Sequence, residues 1–585
     1  MRDKQFVNHV EISADWVQRR DQDKFFKKVR SVAGDMVPEL ARRFNQVKKK
    51  CGLQDANLEL THLNELSDRL RKSVSCQTLR KLDLWRKDLD MAATDDDINT
   101  FCDAKARQCS ILIRDSSQDR LYESLLTIID SYGITLGNGE REKILELDKP
   151  ILERLQTEKW WRKKVKPLAF RTCEQIMREL GHTQRGRGCY VSDYTFRRFL
   201  GRERRNGNLL QALEATNELG EVYTLSQLSE LGMSNHELRR GELMVRMRGF
   251  EEWAEQDQHD WTPMFYTITC PSKYHLYSND EKNTKYNLAT PKDAQSYLCT
   301  VWARIRAEAS RQAIKFFGFR VAEPHHDGCP HWHMLLFVRA DQSKSFTGII
   351  RSRALAEDGN EPGAQKHRFE AVAIVPEKGT AAGYIAKYVS KNIDGVGVAL
   401  DEEAQELTVN TAARVRAWAA CWGIRQFQQI GGPPVTVYRE LRRLARHPER
   451  IPPDCYVPKN ERDEKFIEAA PRQLELAIDA ADAGNWCEFT NQMGGAVCPR
   501  KDRPIQLEIH DRVDLNQYGE VVKHIYGVFT KWFVFPLRTR FHHWRVTLKR
   551  VATTGARMIR ERTDAHLYPV DFFGGATAPP LDLCQ

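Results

Sequence analysis

The pattern of apolar and polar positions changes character along the 585-residue chain. Up to about residue 155, segments such as 58–70 and 144–155 place apolar residues three and four apart, the period of a helix with one buried face. Residues 156–255 also read as helical, with stretches such as 223–247 predicting short helices separated by turns at Gly and Asn. Near residue 262 the period shifts. Residues 264–270 are aromatic and β-branched and are stopped by Pro271, which predicts a strand. A helix is expected over about 291–316. Residues 318–323 and 331–338 then read as two strands joined by His326-Asp327-Gly328-Cys329-Pro330, where Asp-Gly marks a hairpin. A further strand is predicted at 369–375 and a helix at 380–391. Beyond 401 the pattern predicts more helices and a weakly patterned tail, with 479–485 small and polar enough to be a linker.

This order predicts an α+β protein: a central antiparallel sheet flanked by helices, with mainly helical regions before and after it. At roughly 100–200 residues per domain, the chain is too long for one domain. The expected divisions are a helical N-terminal region at 1–155, a basic helical region at 156–255, and a strand-rich core at 256–400. A helical extension at 401–495 and a basic region at 496–585 complete the chain.

Composition narrows the class. Hydrophobic residues make up 41%, enough for real cores, and charged residues 29%, a well-hydrated surface. No apolar run approaches the ~20 residues that span a bilayer, and the first residues lack the apolar stretch of a secretory signal. The expectation is a cytoplasmic protein with no membrane partner. The 14 cysteines are scattered singly, without a Cys-x-x-Cys pair, which argues against zinc ribbons and a disulfide scaffold. No Walker-type phosphate loop is present, which excludes an ATP-driven helicase of that kind. Net charge is +10, modest for this length, so clustering matters more. Trp160-Trp161-Arg162-Lys163-Lys164 is one basic-aromatic cluster. Arg197-Arg198 with Arg202 to Arg205 is a second, and 538–550 a third. Such clusters can neutralise phosphates and stack bases.

Two segments carry the chemistry. In Glu323-Pro324-His325-His326-Asp327-Gly328-Cys329-Pro330-His331-Trp332-His333, side chains alternate faces, so His331 and His333 point the same way, roughly 7 Å apart along the strand. In an even-sum hairpin register Glu323 and His325 share that face. Two imidazoles with a carboxylate suit Mg²⁺ or Mn²⁺ bound to a phosphate oxygen, with Glu323 or His325 as the third ligand. A structural zinc site that includes Cys329 would instead indicate a non-enzymatic DNA-binding regulator, but Cys329 sits in the turn, awkward for that face. About fifty residues further on, Tyr384-Ile385-Ala386-Lys387-Tyr388-Val389-Ser390-Lys391-Asn392 places two phenols four apart on one helix face. Lys387 and Lys391 each follow a tyrosine by three. A nearby cation lowers a phenol's pKa from about 10 and balances charge developing on phosphate.

Together these segments resemble the HUH endonuclease superfamily, and within it the phage replication gene A protein family, the two-tyrosine branch. The resemblance runs through three motifs in order. They are Phe265-Tyr266-Thr267-Ile268-Thr269 with Pro271-Ser272-Lys273-Tyr274-His275, then Pro330-His331-Trp332-His333, then Tyr384-Ile385-Ala386-Lys387-Tyr388. Flanking stretches also look familial, among them Tyr190-Val191-Ser192-Asp193, and the likeness covers about 155–440. It implies an antiparallel sheet of about five strands with the histidine hairpin central. It further implies metal-binding His331 and His333, and Tyr384 and Tyr388 as paired nucleophiles. The function implied is origin nicking through a 5′-phosphotyrosine and rejoining of ends in rolling-circle replication, on a single-stranded or supercoiled DNA origin. A host helicase and DNA polymerase are the implied partners. A relaxase or transposase of the same superfamily is disfavoured by the tyrosine spacing and the flanking motifs.

Overall fold

The computed structural model describes residues 95–446 and 461–549, apart from short breaks at 138, 180, 279–280, 376, 378, 398–399, 402–403, 405 and 531–534. The expected helix at 58–70 lies outside the described residues, as do most of the expected 1–155 region and the last part of the 496–585 region. The chain divides into two compact units: Met1–Gly181 with Asp514–Val521, and His182–Val513 with Val522–Gln585.

In the first unit, α1 (Asp95–Asp115), α2 (Gln118–Ser131), α3 (Glu140–Leu145), α4 (Lys149–Leu155) and α5 (Glu158–Glu179) follow one another. Their apolar stripes meet in a core that includes Phe101, Leu125, Ile129, Leu155, Trp161 and Val165. The 144–155 pattern is two helices rather than one. The backbone turns over at Leu147, with φ at 52°. The chain restarts with Pro150 in the first turn of α4, where a missing N–H leaves no helix bond unmade.

The second unit opens with α6 (Asp193–Ala212), β1 (Leu213–Thr216), β2 (Val222–Thr224), α7 (Leu225–Glu230) and α8 (His236–Gln256). Two differences from the sequence expectation appear here. A β-hairpin interrupts a region read as helical. Also, α8 is one long helix, started by Asn235, whose side chain accepts from the Glu237 N–H.

Next come β3 (Trp261–Thr269), α9 (Pro291–Arg311), β4 (Phe316–Pro324), β5 (Pro330–Arg339), α10 (Ala340–Ala354), β6 (Phe369–Ala373), α11 (Ala381–Ile393), α12 (Thr408–Trp422) and β7 (Phe427–Ile430). The five strands form one antiparallel sheet in the order β7-β4-β5-β3-β6, with the histidine strand β5 in the middle. The helix expected over 291–316 ends at Arg311 because β4 already starts at Phe316.

Strand periodicity divides this sheet. Tyr266, Trp332, Met334 and Leu336 face a core shared with Leu298 and Trp302 of α9, Phe346 of α10, and Trp418 of α12. Phe265, Val321, Leu335 and Phe337 face a second core shared with α8 and with Ile385 and Val389 of α11. Each fully buried side chain of this size contributes about 1.5–3 kcal/mol. Both faces are thus covered by helices, and β4 and β5 read as nearly continuous buried runs. Gly318 lets β4 approach β5: a Cβ there would lie 2.0 Å from the Leu335 carbonyl oxygen.

The chain continues with α13 (Val435–Ala445), α14 (Glu461–Asp482), α15 (Trp486–Gln492), β8 (Ile505–Asp511), β9 (Lys523–Thr530), β10 (Leu537–Arg538) and β11 (Arg545–Leu548). The 479–485 stretch is not a linker. Ala480 and Ala481 are buried at the end of α14, and three residues connect it to α15. The C-terminal region also holds strands that its pattern concealed. β8-β9-β10 form one small sheet, and β11 joins β1 and β2 in another. No helix among the described residues is long and apolar enough to cross a membrane.

Candidate active site

The β4–β5 register pairs Glu323 with His331 and Val321 with His333. Paired residues share a face of the sheet, so the carboxylate and both imidazoles leave on one side. From the opposite neighbour, Thr267 pairs with His333, and its hydroxyl lies 3.2 Å from His333 Nδ1. That contact turns the other ring nitrogen, Nε2, toward Glu323 Oε2 at 3.8 Å. The ligand atoms of Glu323, His331 and His333 all lie within 4.8 Å of one another, and all three side chains are buried. No other group of three such residues converges in this way among the described residues. His331 Nδ1 is buried without a hydrogen-bond partner. Two imidazoles and a carboxylate with an orphaned ring nitrogen are a donor set that fits a divalent ion. His325 stands one layer out. Its ring centroid is 4.0 Å from that of His331 and 5.1 Å from that of His275.

Electrostatics favour metal-ready imidazoles. Desolvation by burial, with the charge of Lys391 and the neighbouring His325 and Lys387, pulls His333 down to about 3. Burial, with the adjacent imidazoles and Lys391, holds His331 well below its usual value. Both rings are therefore neutral at physiological pH, the form that binds metals.

The tyrosine helix α11 is started by Thr380, whose hydroxyl accepts from the Gly383 N–H at 3.1 Å. The Glu251 carboxylate of α8 takes the Ala381 and Ala382 N–H groups, so a second helix fixes where α11 begins. Ile385 and Val389 are buried, which turns Tyr384 and Tyr388, both half-buried, toward the histidine end of the sheet face. The Tyr388 ring stacks on His333 with centroids 3.9 Å apart and planes 28° from parallel. Phe265 of β3 lies under both phenols, 5.4 Å from the Tyr388 ring and 6.1 Å from that of Tyr384.

The two lysines of this helix differ. Lys387 is exposed. Lys391 is buried, with its ammonium 3.1 Å from Asp401 and 3.7 Å from Glu323, so two carboxylates engage it. Asp401 in turn accepts the Tyr190 and Thr411 hydroxyls at 2.7 Å. Tyr190 is held at a φ of 73°. Burial, with Cys189 and Asp401, raises its phenol above the usual range, so it stays a donor. Asp401 and Thr411 went unnoticed in the sequence, where nothing in their neighbourhood marks them. Asn392 carries a signal: it lies one turn past Tyr388, and its amide reaches Glu323.

The first basic-aromatic cluster is placed otherwise than expected. Trp160 and Trp161 are buried in the core of the first unit, and the Trp161 N–H donates to the Leu155 carbonyl at 2.8 Å. Their rings do not face solvent. Arg162 pairs with Glu158 and Lys164 with Glu140, while Lys163 is exposed.

A histidine–carboxylate hairpin in the middle of an antiparallel sheet, capped by a two-tyrosine helix, defines a class that the sequence comparisons make specific. The profile of the family described as bacteriophage replication gene A protein (GPA) matches residues 128–396. The replication gene A protein of Escherichia phage 186 is 40% identical over 409 residues, 68% of this chain and 56% of that protein. A "probable replication protein" of Pseudoalteromonas phage PM2 is 34% identical over 508 residues, 83% of this chain and 76% of its own length. A "probable replication endonuclease from prophage-like region" of Salmonella paratyphi A is 32% identical over 410 residues, 69% of this chain and 50% of that protein. The chain belongs to the bacteriophage replication gene A protein family. It spans about half the length of several of these relatives. No solved structure matches it.

Proposed function

We propose that this chain is a site- and strand-specific DNA endonuclease that opens rolling-circle replication by transesterification at Tyr384 and Tyr388, on a nuclease core of the HUH kind. The observation that supports this reading is the contact between Tyr388 and His333, which stacks a phenol on one of two clustered imidazoles across about fifty residues of sequence. His331, His333 and Glu323 would hold Mg²⁺ or Mn²⁺, which supplies Lewis acidity to the scissile phosphate and offsets charge developing there.

The chain's own groups do the rest. A tyrosine oxygen attacks phosphorus and loses its proton. The bond from phosphorus to the 3′ oxygen breaks, and that oxygen leaves as a 3′-hydroxyl able to prime a host polymerase. The product is a 5′-phosphotyrosyl ester, so the bond energy is retained and joining requires no ATP. The second tyrosine cleaves the regenerated site, and the freed 3′-hydroxyl reverses the first ester to close a circle. Phe265 and His333 limit how far the Tyr388 ring can rotate, a positioning effect on the attacking oxygen. Exposed arginines of α6, Arg204 among them, are a phosphate-binding surface for the DNA. Unwinding is left to supercoiling or a host helicase.

The test is a covalent adduct. Wild-type protein incubated with supercoiled origin DNA and Mg²⁺ is expected to acquire a 5′-linked strand. Y384F/Y388F is expected to form none, and H331A/H333A to bind DNA yet not cut it. An adduct that survives the double tyrosine substitution would rule out the assignment.

A further inference from the structure

We infer that Asn392 is a positioning residue that ties the nucleophile helix to the metal-facing carboxylate by engaging one of the two Glu323 oxygens. The inference rests on the metal-site reading above. It starts from an asymmetry in Glu323, whose side chain is almost completely buried. Oε1 accepts a hydrogen bond from Asn392 Nδ2. Oε2 is the oxygen that faces His333 Nε2, at 3.8 Å, and the Lys391 ammonium, at 3.7 Å. One oxygen is thus taken by an amide, and the other is turned into the ligand cluster.

The amide's orientation is determined by its neighbours. An ionised carboxylate only accepts, so Asn392 must present its NH₂ to Glu323. The same NH₂ donates to the Tyr388 carbonyl oxygen at 2.7 Å. The amide oxygen accepts from Gln426 Nε2 at 3.0 Å. A flipped amide would set its oxygen against two acceptors and its NH₂ against a donor, so the observed orientation is the stable one. Gln426 is itself anchored: its carbonyl accepts from the N–H of Ala322, the residue beside Glu323, at 2.8 Å. Backbone and side chains therefore form a closed loop running through Gln426, Ala322, Glu323 and Asn392. The loop includes the carbonyl of the residue that carries a nucleophile.

Two consequences follow. With Oε1 engaged by the amide, Glu323 would present Oε2 to the ion. Because one amide grips both the Tyr388 turn and Glu323, the phenol and the ion share a common reference. Hydrogen bonds of this kind behind a ligand typically change metal affinity by about 10- to 100-fold when removed.

The experiment uses the full chain and Mn²⁺ as the probe, titrated without DNA and read as free Mn²⁺ by electron paramagnetic resonance. Single-turnover cleavage against Mn²⁺ concentration is the second readout. N392A is expected to weaken Mn²⁺ binding about 10- to 100-fold while DNA affinity is unchanged, with cleavage recovering as Mn²⁺ is raised. A loss that is only structural would not recover with Mn²⁺. N392A binding Mn²⁺ within twofold of wild type overturns the inference. Should N392A fail to fold, Q426L decides: it leaves the Asn392 oxygen without its donor. A rise of threefold or more in its Mn²⁺ dissociation constant supports the inference, and no change overturns it. H331A/H333A separates the two readings. If that variant still binds Mn²⁺ like wild type, the metal site itself is misassigned, whatever Asn392 does.

Discussion

Tyr388 and Tyr384 differ in a way that their even spacing conceals. Tyr388 lies face to face with His333, whereas Tyr384 meets Phe265, with ring centroids 6.1 Å apart and planes tilted by 47°. The first cleavage of a single-stranded oligonucleotide should therefore depend more on Tyr388. Y388F is expected to slow single-turnover adduct formation at least about tenfold more than Y384F, a barrier difference of about 1.4 kcal/mol. Equal rates for the two variants, measured on denaturing gels, would show that the phenols are interchangeable in the free enzyme. The pair and its helix face were legible in the sequence because four residues make just over one helical turn. Which phenol meets the imidazole was not, since that depends on where Glu251 and Thr380 start the helix.

At the scale of elements, a buried carboxylate holds the C-terminal segment to α13. Glu440 accepts from the Thr539 hydroxyl and pairs with Arg443 and, at 2.9 Å, with Arg540. Burial alone would raise its pKa, but hydrogen bonds from Arg540 and Thr539 and the charge of Arg443 outweigh it and hold the group below its ordinary 4.5. A carboxylate lowered on folding stabilises the protein fully above its unfolded value, and that stabilisation is lost as pH falls below it. E440Q is expected to cost roughly 3 kcal/mol at pH 7, because it leaves two arginines facing a neutral amide. The gap to wild type in urea unfolding should narrow as pH drops below about 4.5. A gap that stays constant with pH would mean the carboxylate's charge is not what matters there. Nothing in the local pattern around 538–541 announced this contact, because both ends are defined only by their meeting.

Across the whole molecule, basic clusters far apart in sequence have divergent fates. The first is split, with its tryptophans in a core and most of its cations paired to acids. The third contributes β11, which pairs with β1 beside α6, so it joins the second cluster in one lobe around Ala215, Leu228 and Val546. Helix α6 has no buried residue, and Arg204 and Arg205 are exposed on it. R202A/R204A is expected to weaken DNA binding and to lower the slope of log affinity against log salt by roughly 2, one unit for each phosphate left without its arginine. Cleavage at saturating DNA should be unaffected. An unchanged salt slope would place the DNA on another surface.

Strand alternation and the Asp-Gly turn were enough to put Glu323, His331 and His333 on one face, because the local geometry of a hairpin dictates which side chains are neighbours. Helical spacing did the same for Tyr384 and Tyr388. The folded chain alone decided that these two faces meet, that Asn392, Asp401 and Tyr190 stand behind them, that Trp160 and Trp161 are core, and that β8, β9, β10 and β11 pair as strands. Periodicity reports which way a side chain points from its own element. What it points at is set by packing between segments distant in sequence, and no local pattern records that.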